Sequence, residues 1–320
     1  MALNILARMV KSSPAPLAPI PPTSDAAAGR TWRGAHGLPL AVSLYGPADA
    51  APVAVFAHGF GQTRHAWTRT MRALAERGLA SAAYDLRGHG GSGRNAGDTR
   101  YDVAQFIDDA LAVRAQIAGS PVLVGASMGG LVGLAAQARG AAFAGLVLVD
   151  VTPRWEIAGM QRILAFMGAH ADGFEDHEHA AREIAAYLPH RREKKTPADL
   201  AHLLVTGDDG RLRWHWDPRL LEDLADSAKH QHALSEAARG IDVPVLLVSG
   251  GRSDLVSRES VEHFLSLVPH AAHVQLPEAT HMVAGDDNGA FTRAVVDFLA
   301  ALRLADPETP TPSTLRGASP

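Results

Sequence analysis

The chain has no cysteine, so disulfides, thiolate metal sites and a cysteine nucleophile are excluded, and the expectation is a cytoplasmic location. Charge of one sign is also lacking. Thirty Lys and Arg against 34 Asp and Glu leave a formal net charge of −4, which offers no basic footprint for nucleic acid. No apolar run reaches the roughly 18 to 20 residues that would cross a bilayer, so no membrane span is expected. Metal-ligand spacing is missing too, despite 16 histidines. His177 and His179 lie two positions apart, as do His230 and His232, and on a helix such positions point about 200° apart. No metal is expected.

What remains is a chain of 320 residues, 47 % hydrophobic and 20 % charged, enough for a substantial core and a second subdomain. Residues 1–29 include a Pro-rich run from Pro14 to Pro22 that can form neither helix nor paired strand, and they read as a disordered tail. From Thr31 onward short strands and helices alternate: Leu38 to Tyr45, Val53 to Ala57, Ala80 to Tyr84, the strand before Gly125, and Gly145 to Asp150. Such alternation points to a mostly parallel sheet covered on both faces. The rhythm stops at Thr152-Pro153 and resumes at Val243. The stretch between has helical stripes at Ile157 to Met167, at Phe174 to Leu188 and from Thr196 to Leu204, then an alternating segment from Arg211 to Trp216 and a last helical stretch from about Pro218 to Arg239. It reads as an inserted cap. After it come a strand at Val245 to Ser249, a helix at Arg258 to Leu267, a strand at His273 to Leu276 and a helix at Gly289 to Leu302, and then a second disordered tail. The expected boundaries are therefore a core of 30–151 and 241–303, a cap of 152–240, and tails of 1–29 and 304–320.

The stretch with the clearest chemistry is Gly125-Ala126-Ser127-Met128-Gly129. It follows a β-branched apolar run and precedes an Ala- and Leu-rich helix, the strand–turn–helix setting of a nucleophile elbow, in which glycines permit a sharp turn that exposes Ser127 Oγ. A serine hydroxyl needs a base, and the base needs an orienting carboxylate. His281 follows the last strand and Asp254 the strand before it, both at the edge where loops leave a parallel sheet. They are the expected base and acid; Asp150, ending another strand at the same edge, is the competing acid. The Met128 amide and that of Phe60, after His58-Gly59, are placed to bind an oxyanion. His58 and His89 are read as turn-holding histidines. In the cap, Trp155, Met160, Trp214 and Trp216 are expected to contact substrate, with packing within the cap as the competing role for the two later tryptophans.

Together His58-Gly59-Phe60-Gly61, Asp85-Leu86-Arg87-Gly88-His89-Gly90-Gly91-Ser92, Gly125-Ala126-Ser127-Met128-Gly129-Gly130, Asp254 and His281 resemble the α/β-hydrolase superfamily. The similarity covers about Trp32 to Leu302 and is to its capped, epoxide-hydrolase-like and esterase-like branch. The resemblance implies an α/β fold with an eight-stranded, mostly parallel sheet flanked by helices, a mainly helical cap inserted after the sixth strand, and a Ser127, Asp254, His281 triad that works without a cofactor. Epoxide hydrolases and haloalkane dehalogenases carry an aspartate nucleophile where this chain has Ser127. The expected activity is therefore hydrolysis of a small, mainly hydrophobic carboxylic ester through an acyl-enzyme. Cleavage of a C–C bond in a ring-cleavage dienoate, acyl transfer or perhydrolysis, and, in a different class, non-catalytic ligand binding are the alternatives.

Overall fold

A computed structural model describes residues 30–305, apart from 171, 188–195, 197–199, 225–226 and 287. The expected tails at 1–29 and from 306 onward lie outside the described residues. Eight strands form one sheet in the order β1 (Arg30–Arg33), β2 (Pro39–Tyr45), β4 (Ser81–Tyr84), β3 (Ala54–Ala57), β5 (Val122–Ala126), β6 (Gly145–Val149), β9 (Val245–Gly250) and β10 (Ala272–Leu276). β2 pairs antiparallel with both β1 and β4, and every other pairing in this sheet is parallel. The central strands are apolar on both sides because helices cover both faces.

Side chains alternate between the faces with the period of two that a strand imposes. Val55, Leu123, Leu146, Leu148 and Leu247 face the core under α2 (Val103–Ala115), α3 (Met128–Ala138), α7 (Gln231–Arg239) and α8 (Arg258–Leu267). Phe56, Val122, Val124, Val147 and Val248 face the core under α1 (Thr68–Ala75) and α10 (Asn288–Ala305). α10 runs on to Ala305, past the expected start of the second tail at 304.

Between β6 and β9 lie α4 (Ile157–Gly168), α5 (His177–Tyr187), the antiparallel pair β7 (Leu204–Thr206) and β8 (Leu212–Trp214), α6 (Leu220–Leu224) and α7. Residues 197–199 of the helix expected from Thr196 to Leu204 lie outside the described residues; Leu200 is helical, but Leu204 belongs to strand β7 over Leu204–Thr206. Leu203 and Leu204 are buried with Phe174 and Leu212 in a small separate cluster, and pairing with β8 outweighs the local helical spacing. The single long helix expected from Pro218 to Arg239 is broken into α6, a 3-10 turn at Ser227–His230 and α7. The last of these packs Leu234 and Ala238 into the main core. No helix of the described residues is long and apolar enough to cross a membrane.

Candidate active site

The site is built at the carboxyl edge of the parallel strands. β5 ends at Ala126 and α3 begins at Met128, so Ser127 alone makes the turn, with φ 46° and ψ −120°. Only close backbone approach allows so sharp a corner. A Cβ on Gly125 would lie 2.6 Å from the Gly129 carbonyl, and one on Gly129 would lie 2.5 Å from the Ala57 carbonyl oxygen, so a side chain at the first position would push α3 off β5 and one at the second would push the elbow off β3. Ser127 N–H donates to the Val149 carbonyl at 3.0 Å, which anchors the strained residue to β6. Such a conformation persists only where its surroundings over-determine it.

His281 follows β10 and turns its ring back toward the sheet. Its Nδ1 lies 2.7 Å from Oδ2 of Asp150, whose side chain is completely buried while that of His281 is 16 % exposed. Asp150 accepts two further hydrogen bonds, from the Gly250 amide at 2.8 Å and from Ser253 Oγ. With Nδ1–H given to the carboxylate, Nε2 presents its lone pair elsewhere.

The carboxylate against His281 is thus Asp150, the competing acid of the sequence reading, while Asp254 lines the same cavity without pairing with the histidine. Asp254 bonds Arg162 of α4 at 3.0 Å, with its side chain 37 % exposed. The physical reason lies in loop length and strand order. Asp150 directly follows β6, the neighbour of the nucleophile strand, and its amide is held by the Val248 carbonyl at 2.7 Å. Asp254 stands four residues beyond β9, on a loop that wraps Asp150 through Ser253 and turns its next side chain toward the inserted segment.

Phe60 and Met128, whose amides are the expected oxyanion donors, both line the cavity that contains Ser127 and His281. Met128 is the first residue of α3, where a helical N–H has no partner within the helix. Gly59 packs close enough that a Cβ there would meet Ser127 Cβ at 3.2 Å.

Three buried histidines hold the Phe60 loop. His58 Nδ1–H donates to the Gly59 carbonyl at 2.8 Å, and its Nε2 accepts from Leu86 N at 2.9 Å. His89 Nε2 accepts from the Gly61 amide at 3.3 Å, and its Nδ1–H donates to the Arg87 carbonyl at 3.0 Å. His215, from the inserted segment, accepts from Gly90 N at 2.7 Å through Nδ1 and donates Nε2–H to the Gly61 carbonyl at 3.3 Å. Both ends of Gly61 are therefore clamped by imidazole. Burial pushes His58 down to about 3, His215 down to about 4 and His89 well below the usual histidine range, so all three are neutral at pH 7.

The cavity has a volume of about 1420 Å³. Trp155, Met160 and Trp214 line it, as expected from the sequence, but Trp216 does not. Trp216 is 3 % exposed and packs its ring 4.8 Å from that of Phe60. The expectation that it contacts substrate fails because Trp216 lies beyond the end of β8, where the alternation that would have put it on the Trp214 face no longer holds. Phe166 and Tyr187 stack at 4.1 Å in the same wall; sequence reasoning missed them because their partnership joins two separate helices. Among the described residues no cluster of three metal-ligating side chains is present.

Residues 54–294 match the model of the Alpha/beta hydrolase family. A 3-hydroxybutyrate-oligomer hydrolase of Cupriavidus necator is 31 % identical over 242 residues, covering 72 % of this chain and 82 % of the relative. An esterase of Mycobacterium tuberculosis is 30 % identical over 270 residues, covering 80 % and 85 %. The crystal structure of E-2-(acetamidomethylene)succinate hydrolase superimposes with a TM-score of 0.71 at 25 % identity, over 85 % of this chain and 98 % of that one.

Proposed function

The chain belongs to the alpha/beta hydrolase family, and from that premise we propose that it is a serine hydrolase that cleaves a carboxylic ester with a mainly hydrophobic acyl group. The observation that carries this reading is the 2.7 Å contact of His281 with the buried Asp150 in the cavity that also holds Ser127. Asp150 replaces Asp254 as the proposed acid of the triad. Relatives named as an esterase and as an oligomer hydrolase agree with ester chemistry.

In the proposed reaction His281 Nε2 takes the Ser127 hydroxyl proton as Oγ attacks the ester carbonyl. Asp150 holds the ring in the Nδ1–H tautomer and stabilises the imidazolium. The carbonyl oxygen, now an anion, is bound by the Phe60 and Met128 amides. The intermediate then collapses, the C–O bond breaks, and the departing alkoxide takes the proton from His281. Water repeats the sequence on the acyl-enzyme: His281 accepts one proton, the hydroxide adds to the acyl carbon, and Ser127 leaves with that proton as the free acid is released. The segment 152–240, acting as a cap, supplies the apolar wall through Trp155, Met160 and Trp214.

The test is a panel of p-nitrophenyl esters of increasing acyl length, run beside a ring-cleavage dienoate, with wild type and Ser127→Ala. Ester turnover that vanishes in the variant is the expected result. Preferential turnover of the dienoate would make the C–C hydrolase the correct reading, and no turnover together with no phosphonate adduct on Ser127 would make the protein a binding module.

A further inference from the structure

The cavity straddles the sheet edge, and its two flanks differ in chemistry. On the α3 side Phe106, Leu131, Ala135 and Leu234 give the wall an apolar stretch, and Arg139 at its end is paired with Asp108. On the other side the wall passes His281 and Gly285 to Asn288 and the exposed face of α1. Arg69 and Arg72, three positions apart on α1, share one helical face, and both line the cavity together with His65 from the 3-10 turn that precedes the helix. The opposite face of the same helix, Met71 and Leu74, is fully buried with Trp67 in the core. Asn288 Nδ2 donates to Thr70 Oγ1 at 3.3 Å and fixes α10 against this helix.

Arg72 differs from the other arginines of the wall. Arg139 is paired with Asp108, Arg162 with Asp254 and Arg252 with Glu278. Arg72 Nε is buried with no hydrogen-bond acceptor, and among the described residues its guanidinium has no carboxylate partner. A guanidinium that lines a cavity without a carboxylate of its own can take one from a ligand, and its planar fork fits a carboxylate best. The direction of the reaction then places that carboxylate. His281 gives its proton to the departing alkoxide, so the alcohol portion lies on the His281 side of Ser127, the side that leads to α1. The acyl portion is left to the apolar flank along α3.

We propose that the α1 flank, centred on Arg72, is a subsite for a carboxylate carried on the alcohol portion of the ester, so that the substrate joins an apolar acyl group to a hydroxy acid. The subsite rests on the ester-hydrolase reading for its orientation. Its test compares 4-(butanoyloxy)benzoate with the neutral 4-(butanoyloxy)benzamide, in wild type and in Arg72→Gln and Arg72→Met. The second variant keeps most of the apolar stem and serves where glutamine disturbs folding. Wild type is expected to favour the benzoate about 10-fold in kcat/KM, the scale of one charge-assisted hydrogen bond. Both variants should lose that preference while hydrolysing the benzamide within about twofold of wild type. Equal rates for the two esters in wild type, or a preference that survives both substitutions, overturns the subsite.

Equilibrium binding of the same two compounds to Ser127→Ala, with and without Arg72→Gln, separates this proposal from the one beneath it. Arg72-dependent binding of the benzoate without turnover by wild type keeps the anion subsite and sinks the esterase reading. Turnover of the benzamide without any Arg72 dependence does the reverse.

Discussion

The sheet edge and the inserted segment meet across one cavity, but they are held in different ways. Phe60, Ser127, Asp150 and His281 each stand within a few residues of a strand end, positioned by the main-chain ladders of β3, β5, β6 and β10. The inserted segment joins no strand to the eight-stranded sheet and is fastened to it by scattered bonds, many of them from side chains. Asp217 receives Tyr101 Oη at 2.8 Å, Arg219 reaches the Asn95 carbonyl at 2.9 Å, and Arg94 reaches the His215 carbonyl at 3.0 Å. The difference separates two tasks. Reacting atoms need sub-ångström constancy, which parallel strands give, whereas a substrate wall can be attached by contacts that differ from one sequence to the next.

The largest expected effect breaks the edge itself. Ser127→Ala should lower kcat on the order of 10⁶ with no loss of thermal midpoint, since removing the hydroxyl leaves the turn unchanged; residual wild-type turnover in the purified variant would sink the mechanism. Next comes the contrast between the two acids. Asp150→Asn should cost on the order of 10⁴ in kcat because an amide there holds the wrong tautomer of His281. Asp254→Asn touches only a half-exposed ion pair with Arg162, worth at most about 1 kcal/mol, and should change kcat by no more than a few-fold. The opposite ranking would restore Asp254 as the acid.

A smaller effect distinguishes the two tryptophans of the insertion. Trp214→Ala enlarges the cavity wall and should move the optimum acyl chain length upward by at least one methylene, each worth about 1 to 3 kcal/mol in such a pocket. Trp216→Ala removes packing beneath Phe60, and should lower thermal stability and kcat for all chain lengths alike. If Trp216→Ala moves the optimum and Trp214→Ala does not, the assignments are exchanged.

The mildest perturbation is acid. His58 and His215 are held neutral by burial, with values lowered from 6.5 to about 3 and about 4. The unfolded chain therefore binds protons that the folded chain does not once the pH falls below about 6.5. Their contribution is intact above that pH and is lost as the pH falls toward the folded values, by roughly 1 kcal/mol per pH unit for each histidine. Thermal midpoints measured from pH 7 to 4 should fall accordingly, and His215→Asn should flatten the fall. A midpoint independent of pH over this range would contradict the neutral clamp on Gly61.

Much of this was legible in the order of residues. Gly125 and Gly129 around Ser127, after a β-branched run and before an Ala-rich helix, marked the elbow because no other residue type tolerates the backbone contacts there. His281 was legible from its place after the last strand. That Phe60 and Met128 would lie beside Ser127 was legible from their offsets after the ends of β3 and β5. Trp216 was not, since its partner Phe60 lies more than 150 positions away, and nor was β7, whose spacing reads as helix until β8 pairs with it.

By itself, then, the sequence determined the alternating fold, the serine, the histidine and the break where the extra segment enters, because all of these follow from local periodicity and turn chemistry. Two aspartates followed two strands at the same edge, and nothing local ranks them. Only the tertiary structure decided which of them meets His281, because β6 lies beside the strand that leads to Ser127 and the residue after it, Asp150, falls within reach of the imidazole, while the longer loop after β9 sends Asp254 to Arg162. It alone decided, too, which helices line the cavity around Ser127, since no spacing within the chain records which elements the sheet brings to each flank.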